Sequence, residues 1–381
     1  MERRQSIWVT RLPAVVLLLG LVAISPSAVA TRQTRSHNIR AVAHFEYGFG
    51  TDIAFDGDFV YLGQSRLPTG KVHVLKITGG QQRLVAEFDC GGSQNDVAAL
   101  GSGIIALGNH EGTCMNQPSY GINLLDVSNP TQPKQLGFWP VPDGTHTLTK
   151  HPTEPLIYTS DSGYLMDTRN HIIDVSDPAS PRQVAIGGRS CHDITFRITK
   201  QEKLAFCAAG GDAVTGRATE IWDVSDPLEP EVVGSIVDEG IAYPHLAVAT
   251  PDGKFLVIGD EAVPSSCSDP AAERDYGALS IYDIRRRAAP KMVGFINVPR
   301  GGPGCLAHNF NFIPGTRLLV TSWWQGGTSV YNLDDPRHPS EIAFFDPDDR
   351  VVWSSYWYRG HIYTNGDGGA YVLELQSVTQ Q

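Results

Sequence analysis

Four histidines, His146, His192, His245 and His308, recur at wide intervals, each beginning a short stretch of alternating apolar residues. Neutral imidazole is a good ligand for Fe, Cu, Zn and Mn, so four such rings brought to one point would hold a transition metal. The next slot holds Asp or Asn in several stretches: Asp52, Asp96, Asp193 and Asn309. Carboxylates there can orient metal-bound imidazoles, or simply cap backbone N–H groups where a strand starts. Asp260 and Glu261, at the end of another apolar stretch, are the candidates for general acid/base or cation work. The competing assignment is structural. Strand alternation puts the four histidines on the side of Leu148, Ile194, Ala247 and Phe310, where they would pack between sheets and donate to a neighbouring carbonyl.

The elements that must position these residues come from a repeat. An apolar strand, an Asp-Val-Ser-Asp-Pro turn and a second strand recur at Ile172–Pro178 and Ile221–Pro227, with looser copies at Leu124–Pro130, Ile281–Ile284 and Val330–Pro336. Asp and Ser close such a turn through their own backbone, and Pro ends the pairing. Seven units can be laid out, with first strands beginning near Asp52, Asp96, His146, His192, His245, His308 and Ser355. The last unit stops after its third strand, at Leu375. The segment Val42–Tyr47 reads as a fourth strand without three before it. The expectation is an all-β, seven-bladed β-propeller with four-stranded antiparallel blades, its ring closed by residues 42–47 joining the C-terminal blade; closure removes two free sheet edges. Residues 31–38 and 377–381 read as frayed ends.

These hairpins resemble the LVIVD-repeat family of secreted β-propellers. So do Cys191-His192-Asp193-Ile194, His308-Asn309-Phe310-Asn311, Trp324–Val330 and Tyr356–Tyr363. The resemblance covers nearly the whole chain after residue 30 and is weakest in the first two units, the first having Thr78-Gly79-Gly80 in place of the Asp-Pro turn. It implies the propeller fold and no general activity. By architecture alone, other seven-bladed propellers, such as carotenoid oxygenases and oligogalacturonate lyases, use axial histidines for metal chemistry.

Residues 1–30 read as a secretory signal peptide: Arg3, Arg4 and Arg11, an apolar run from Ala14 to Ile24, then Ala28-Val29-Ala30. That run is shorter than the ~20 apolar residues a spanning helix needs, and no other stretch reads as transmembrane. Residues 31–381 read as a single propeller domain, secreted or periplasmic. The formal charge is −11, and the leader carries three Arg and one Glu, so the remainder is more acidic still. Such a chain repels phosphate backbones and excludes nucleic acid as a partner. The six Cys of an exported protein suggest disulfides. Sequence neighbours pair as Cys90–Cys114, Cys191–Cys207 and Cys267–Cys305, among the connectivities that six Cys allow.

Two functions follow from different classes. One is an extracellular binding or scaffolding module, presenting its His- and Cys-rich loop face to a ligand or protein partner, most simply as a monomer. The other is a metal-dependent enzyme, an oxidase or polysaccharide lyase, with one Fe, Cu, Mn or Zn on the axial histidines. No Ser triad, phosphate loop or His-Glu-x-x-His motif is present. A lyase acting on anionic sugar would also want basic residues beside the metal, and Arg66, Arg197, Arg217 and Arg359 form no pattern. Trp323, Trp324, Trp353, Tyr356 and Trp357 can stack on a ligand or pack the last two blades together.

Overall fold

A computed structural model describes residues 34–36, 38–141, 144–160, 170–209, 216–261, 274–297, 306–347 and 350–376. These residues form seven antiparallel blades of four strands each and no helix. The first strands, Gly50–Asp56, Asp96–Gly101, Thr147–Lys150, Asp193–Ile198, Pro244–Ala249, Ala307–Phe312 and Val352–Tyr358, line the axis. Each packs against the first strand of the next blade, and the seventh returns to the first.

The repeated turns hold as their chemistry requires. The Asp side chain accepts the N–H two residues on, from Ser128 to Asp126, Ser176 to Asp174 and Ser225 to Asp223 at 2.8–2.9 Å. In blades one to six the third and fourth strands share a register shift at one equivalent place, and in blade seven it falls between Ala41 and Ala43.

Seven hydrophobic clusters fill the seven gaps between blades. The gap that closes the ring packs Ile53, Val60, Leu62 and Leu75 of blade one against Tyr363, Ala370 and Val372 of blade seven. Closure runs as expected, through an N-terminal strand beside the third strand of the last blade, from Ile39↔Leu375 to Phe45↔Ala370. The strand spans Ile39–Phe45 rather than 42–47, because the shift after Ala41 lets Ile39 reach the core, where it is 1% exposed. Gly369 makes the close approach possible. Its φ is +102°, and a Cβ there would stand 2.1 Å from the Phe45 carbonyl oxygen.

Residues 34–36, within a stretch expected to fray, are paired. Thr34 and Arg35 pair with Asp346 and Phe345 on the outer strand of blade six, and Ser36 N–H donates to Phe344 O at 2.9 Å. The leading segment therefore ties blades six and seven together before it closes the ring.

Two disulfides, Cys90–Cys114 and Cys191–Cys207, join the expected partners. The Cys267–Cys305 pair lies outside the described residues. No helix of the described residues is long and apolar enough to cross a membrane.

Deleting residues 31–48 removes the closing strand and exposes the edge of blade seven. The expected outcome is loss of the compact species and growth of aggregates by size-exclusion chromatography; a truncated chain of unchanged elution and thermal stability contradicts this account of closure.

Candidate metal centre

Backbone irregularity decides where the histidines point. The pairing of the first and second strands carries a bulge between Pro244 and Leu246 and another between Ala307 and Phe310. A bulge adds a residue to one strand and re-aims the side chains around it. His245 and His308 lie inside these two bulges, so simple alternation no longer assigns them to the gap between blades. His192 sits one residue before its strand begins, its N–H donating to Ala208 O at 2.6 Å.

The three rings face one carboxylate. His192 Nε2 and His245 Nε2 each lie 3.6 Å from Glu261 Oε2, and His308 Nε2 lies 3.6 Å from Glu261 Oε1. The imidazoles are buried, at 3%, 1% and 2% exposure, and successive ring centroids stand 4.2 Å apart. Ligand atoms of His192, His245 and Glu261 lie within 4.8 Å of one another. A separation of 3.6 Å is too long for a hydrogen bond. Two donors ~2.0–2.1 Å from one tetrahedral ion stand ~3.4 Å apart, close to the three His–Glu261 separations.

Asp260 holds Glu261 in place. Its carboxylate accepts the Tyr243 N–H at 2.7 Å and the Gly277 N–H at 3.1 Å, while Glu261 N–H donates to Tyr243 O at 2.9 Å. Asp260 thus pins two chain segments with both oxygens, and Glu261 is the carboxylate that reaches the axis.

Hydrogen bonding orients His308. Its Nδ1 lies 2.7 Å from the Trp353 carbonyl oxygen, which can only accept, so Nδ1 carries a proton. In the neutral ring the Nε2 lone pair then faces Glu261, the arrangement of a metal-bound histidine held by a backbone carbonyl. The Trp353 ring lies 4.3 Å from His308, and Trp324 stacks on Trp353 at 5.8 Å.

His146 is the exception among the four. Gln94 Nε2 donates to His146 Nε2 at 3.3 Å, which leaves His146 Nδ1–H to donate to His110 Nε2 at 3.2 Å. Its ring stands edge-on to His192 at 4.4 Å, beside the group that faces Glu261. Gln94 carries no signal in the sequence. Its φ of +54° is a left-handed conformation uncommon for a residue with a side chain.

Electrostatics keep the rings available as ligands. Burial pushes His192 down to about 4, offset in part by Glu261. Burial and the neighbouring histidines push His146 and His245 well below the ordinary imidazole value. Burial alone would raise the Glu261 carboxyl, but His308 and His192 hold it below its usual value.

Beneath the histidines three carboxylates meet that are far apart in sequence. Asp52, Asp96 and Asp193 line both the small axial chamber, about 20 Å³, and the larger cavity below it. The backbone capping expected of them is present at Asp96 and Asp193. Asp96 accepts Val97 N–H at 3.0 Å and Leu148 N–H at 2.6 Å, and Asp193 accepts Ile194 N–H at 2.7 Å. Asp52 accepts the Ser354 hydroxyl at 2.9 Å. Their convergence adds repulsion. Burial, then the Asp52 charge, push Asp96 well above the carboxylate range and Asp193 up to about 8.

The fold and this centre define a seven-bladed β-propeller with a His/Glu group on its axis. A family model described as LVIVD repeat matches residues 161–186, a stretch that contains the Ile172–Pro178 turn. No curated protein matches it.

The carboxylates give a signed pH effect. Asp193 binds its proton more tightly folded than unfolded, so its contribution is full below pH ~4 and is lost as pH rises toward 8. Asp193→Asn removes that loss. The variant should gain stability over the parent between pH 4 and pH 8, on the order of 2–4 kcal/mol at the upper end. Urea unfolding across this range checks it, and a pH-independent difference contradicts it.

Proposed function

We propose that this propeller is a metal-dependent enzyme holding one Fe, Cu, Mn or Zn ion on its axis through His192, His245, His308 and Glu261. The observation that carries the reading is the set of three buried Nε2 atoms, each 3.6 Å from one carboxylate. With its Nδ1 proton held by Trp353 O, His308 can turn an Nε2 lone pair towards Glu261, and a cation shared by ring and carboxylate resolves that opposition. Three nitrogens and one oxygen suit a first-row transition metal better than Ca²⁺ or Mg²⁺, which prefer all-oxygen shells.

Such an ion supplies Lewis acidity or redox chemistry. The protein supplies the rest. Trp353 O fixes the His308 tautomer, Asp260 positions Glu261, and His146, linked to His110 and Gln94, packs edge-on against His192. Of the two chemistries, oxidation is the better supported. Among the described residues lining the axial chamber none is Lys or Arg, so nothing there pairs with an anionic sugar. The two disulfides support a place outside the reducing cytoplasm.

Elemental analysis of protein purified without chelator tests the reading. One equivalent of transition metal is expected. His192→Ala, His245→Ala, His308→Ala and Glu261→Gln should each lower metal affinity at least ~100-fold, and His146→Ala should cost less than any of them. Clean absence of metal, with every variant folding normally, leaves the protein as an extracellular binding or scaffolding platform.

A further inference from the structure

His308 differs from His192 and His245 in what lies behind it. Its ring centroid is 4.3 Å from Trp353 and 5.9 Å from Trp324, and the two indoles stack on each other at 5.8 Å. His308 is 2% exposed, whereas both indoles are only half-buried. A run of rings in near contact therefore leads from the imidazole that faces Glu261 to the surface. Phe49 meets Trp353 edge-on at 5.5 Å and helps to fix its plane. Packing alone does not call for indole here. The Trp324 Nε1–H is buried with no acceptor among the described residues, a cost that Phe in the same place would not carry.

The axial chamber sets the problem that this run of rings solves. At about 20 Å³ it has room for roughly one water molecule. An organic reductant does not fit, so electrons bound for an ion held by His192, His245, His308 and Glu261 must cross protein. Electron transfer weakens steeply with distance, and rings in near contact divide one long crossing into short ones. Indole suits such steps, because it can give up an electron and keep its proton, whereas a phenol must release its proton as well.

Resting on the metal reading, we propose that Trp324 and Trp353 form an electron relay to the axial site, serving a small one-electron donor that meets Trp324 at the surface and never enters the axis. Trp353 passes one electron through His308 to the oxidised ion and is refilled by Trp324, which takes one electron from the donor. The donor loses one electron and the ion gains one; no bond forms or breaks. No proton moves, since the Trp324 Nε1–H has no acceptor beside it among the described residues. The formal charge of −11 favours a neutral or cationic donor over an anion. Tyr243, edge-on to His192 at 5.4 Å and also half-buried, is the rival exit.

Anaerobic stopped-flow reduction of the metal-loaded protein by hexaammineruthenium(II), with metal content measured on the same samples, tests the relay. Trp353→Phe keeps the backbone carbonyl that holds His308, and Trp324→Phe leaves every proposed ligand in place, so both variants should bind as much metal as the parent. Each should slow reduction of the ion roughly tenfold or more. Trp357→Phe, an indole on the same strand as Trp353 but outside the rings around His308, should react at the parental rate. Trp324→Phe, at a half-exposed position, decides the matter if Trp353→Phe fails to fold. Parental rates in both relay variants with metal retained, or a rate lost in Tyr243→Phe instead, would overturn the relay and leave the metal reading standing. A bound ion that has no second oxidation state to reach, such as Zn, would overturn it in the same way. Absence of metal from the parent removes both.

Discussion

Everything on the axis depends on one strand pairing, that of Ile39–Phe45 with Gly369–Leu375. A propeller blade buries its faces only against neighbouring blades, so an open array leaves two faces and two edges uncovered. The pairing completes blade seven, and blade seven then covers blade one across the last of the seven gaps. The 3.6 Å contacts of Glu261 with His192, His245 and His308 span three blades. They are a property of the ring and of no single repeat. The same holds for Asp52, Asp96 and Asp193, whose first strands belong to blades one, two and four.

Within that ring, bulges separate side chains that pack between blades from side chains that face the axis. Regular alternation would send His245 and His308 into the gaps, where Ala247 and Phe310 are buried. The extra residue in each first strand breaks the alternation at its start, and the rest of the strand keeps its packing. A bulge weakens a ladder locally, and here the interruption falls where the backbone turns in towards the axis. Trp353 shows the same economy. Its ring lies against His308, while its carbonyl oxygen accepts from both His308 Nδ1 and the Ser322 hydroxyl.

How much of this was legible in the sequence follows from the range of the interaction concerned. The Asp-Val-Ser-Asp-Pro turns are local chemistry, so they reveal the blades, their number and the closing strand. Two disulfide pairs were legible because neighbouring segments of one face supply them. The fourth-strand boundaries at 42–47 missed because a register shift after Ala41 leaves no mark in residue type. Strand parity sent His245 and His308 into the gaps between blades for the same reason. Glu261 stood out at the end of its strand, whereas its division of labour with Asp260 depends on the N–H groups of Tyr243 and Gly277. The carboxylate convergence was hidden most deeply. Asp96 and Asp193 read correctly as caps, whereas Asp52 accepts from the side chains of Ser354 and Asn309, and only closure brings the three together.

The axis carries two opposed kinds of site within a short span. Above are three imidazoles around one carboxylate; below are three carboxylates, of which Asp96 and Asp193 hold their protons more tightly than usual. Burying like charges together is costly, and such arrangements persist where function holds them. Stability alone would favour apolar residues at these slots, as Leu246 shows in blade five, where the Asp slot holds a side chain 4% exposed in the core. Blades one, two and four forgo that packing, and all three direct carboxylates to the neck between the chamber and the cavity below it. A purely structural account explains one cap at a time. It does not explain why three of them converge on one neck, where burial and mutual repulsion make each charge costly.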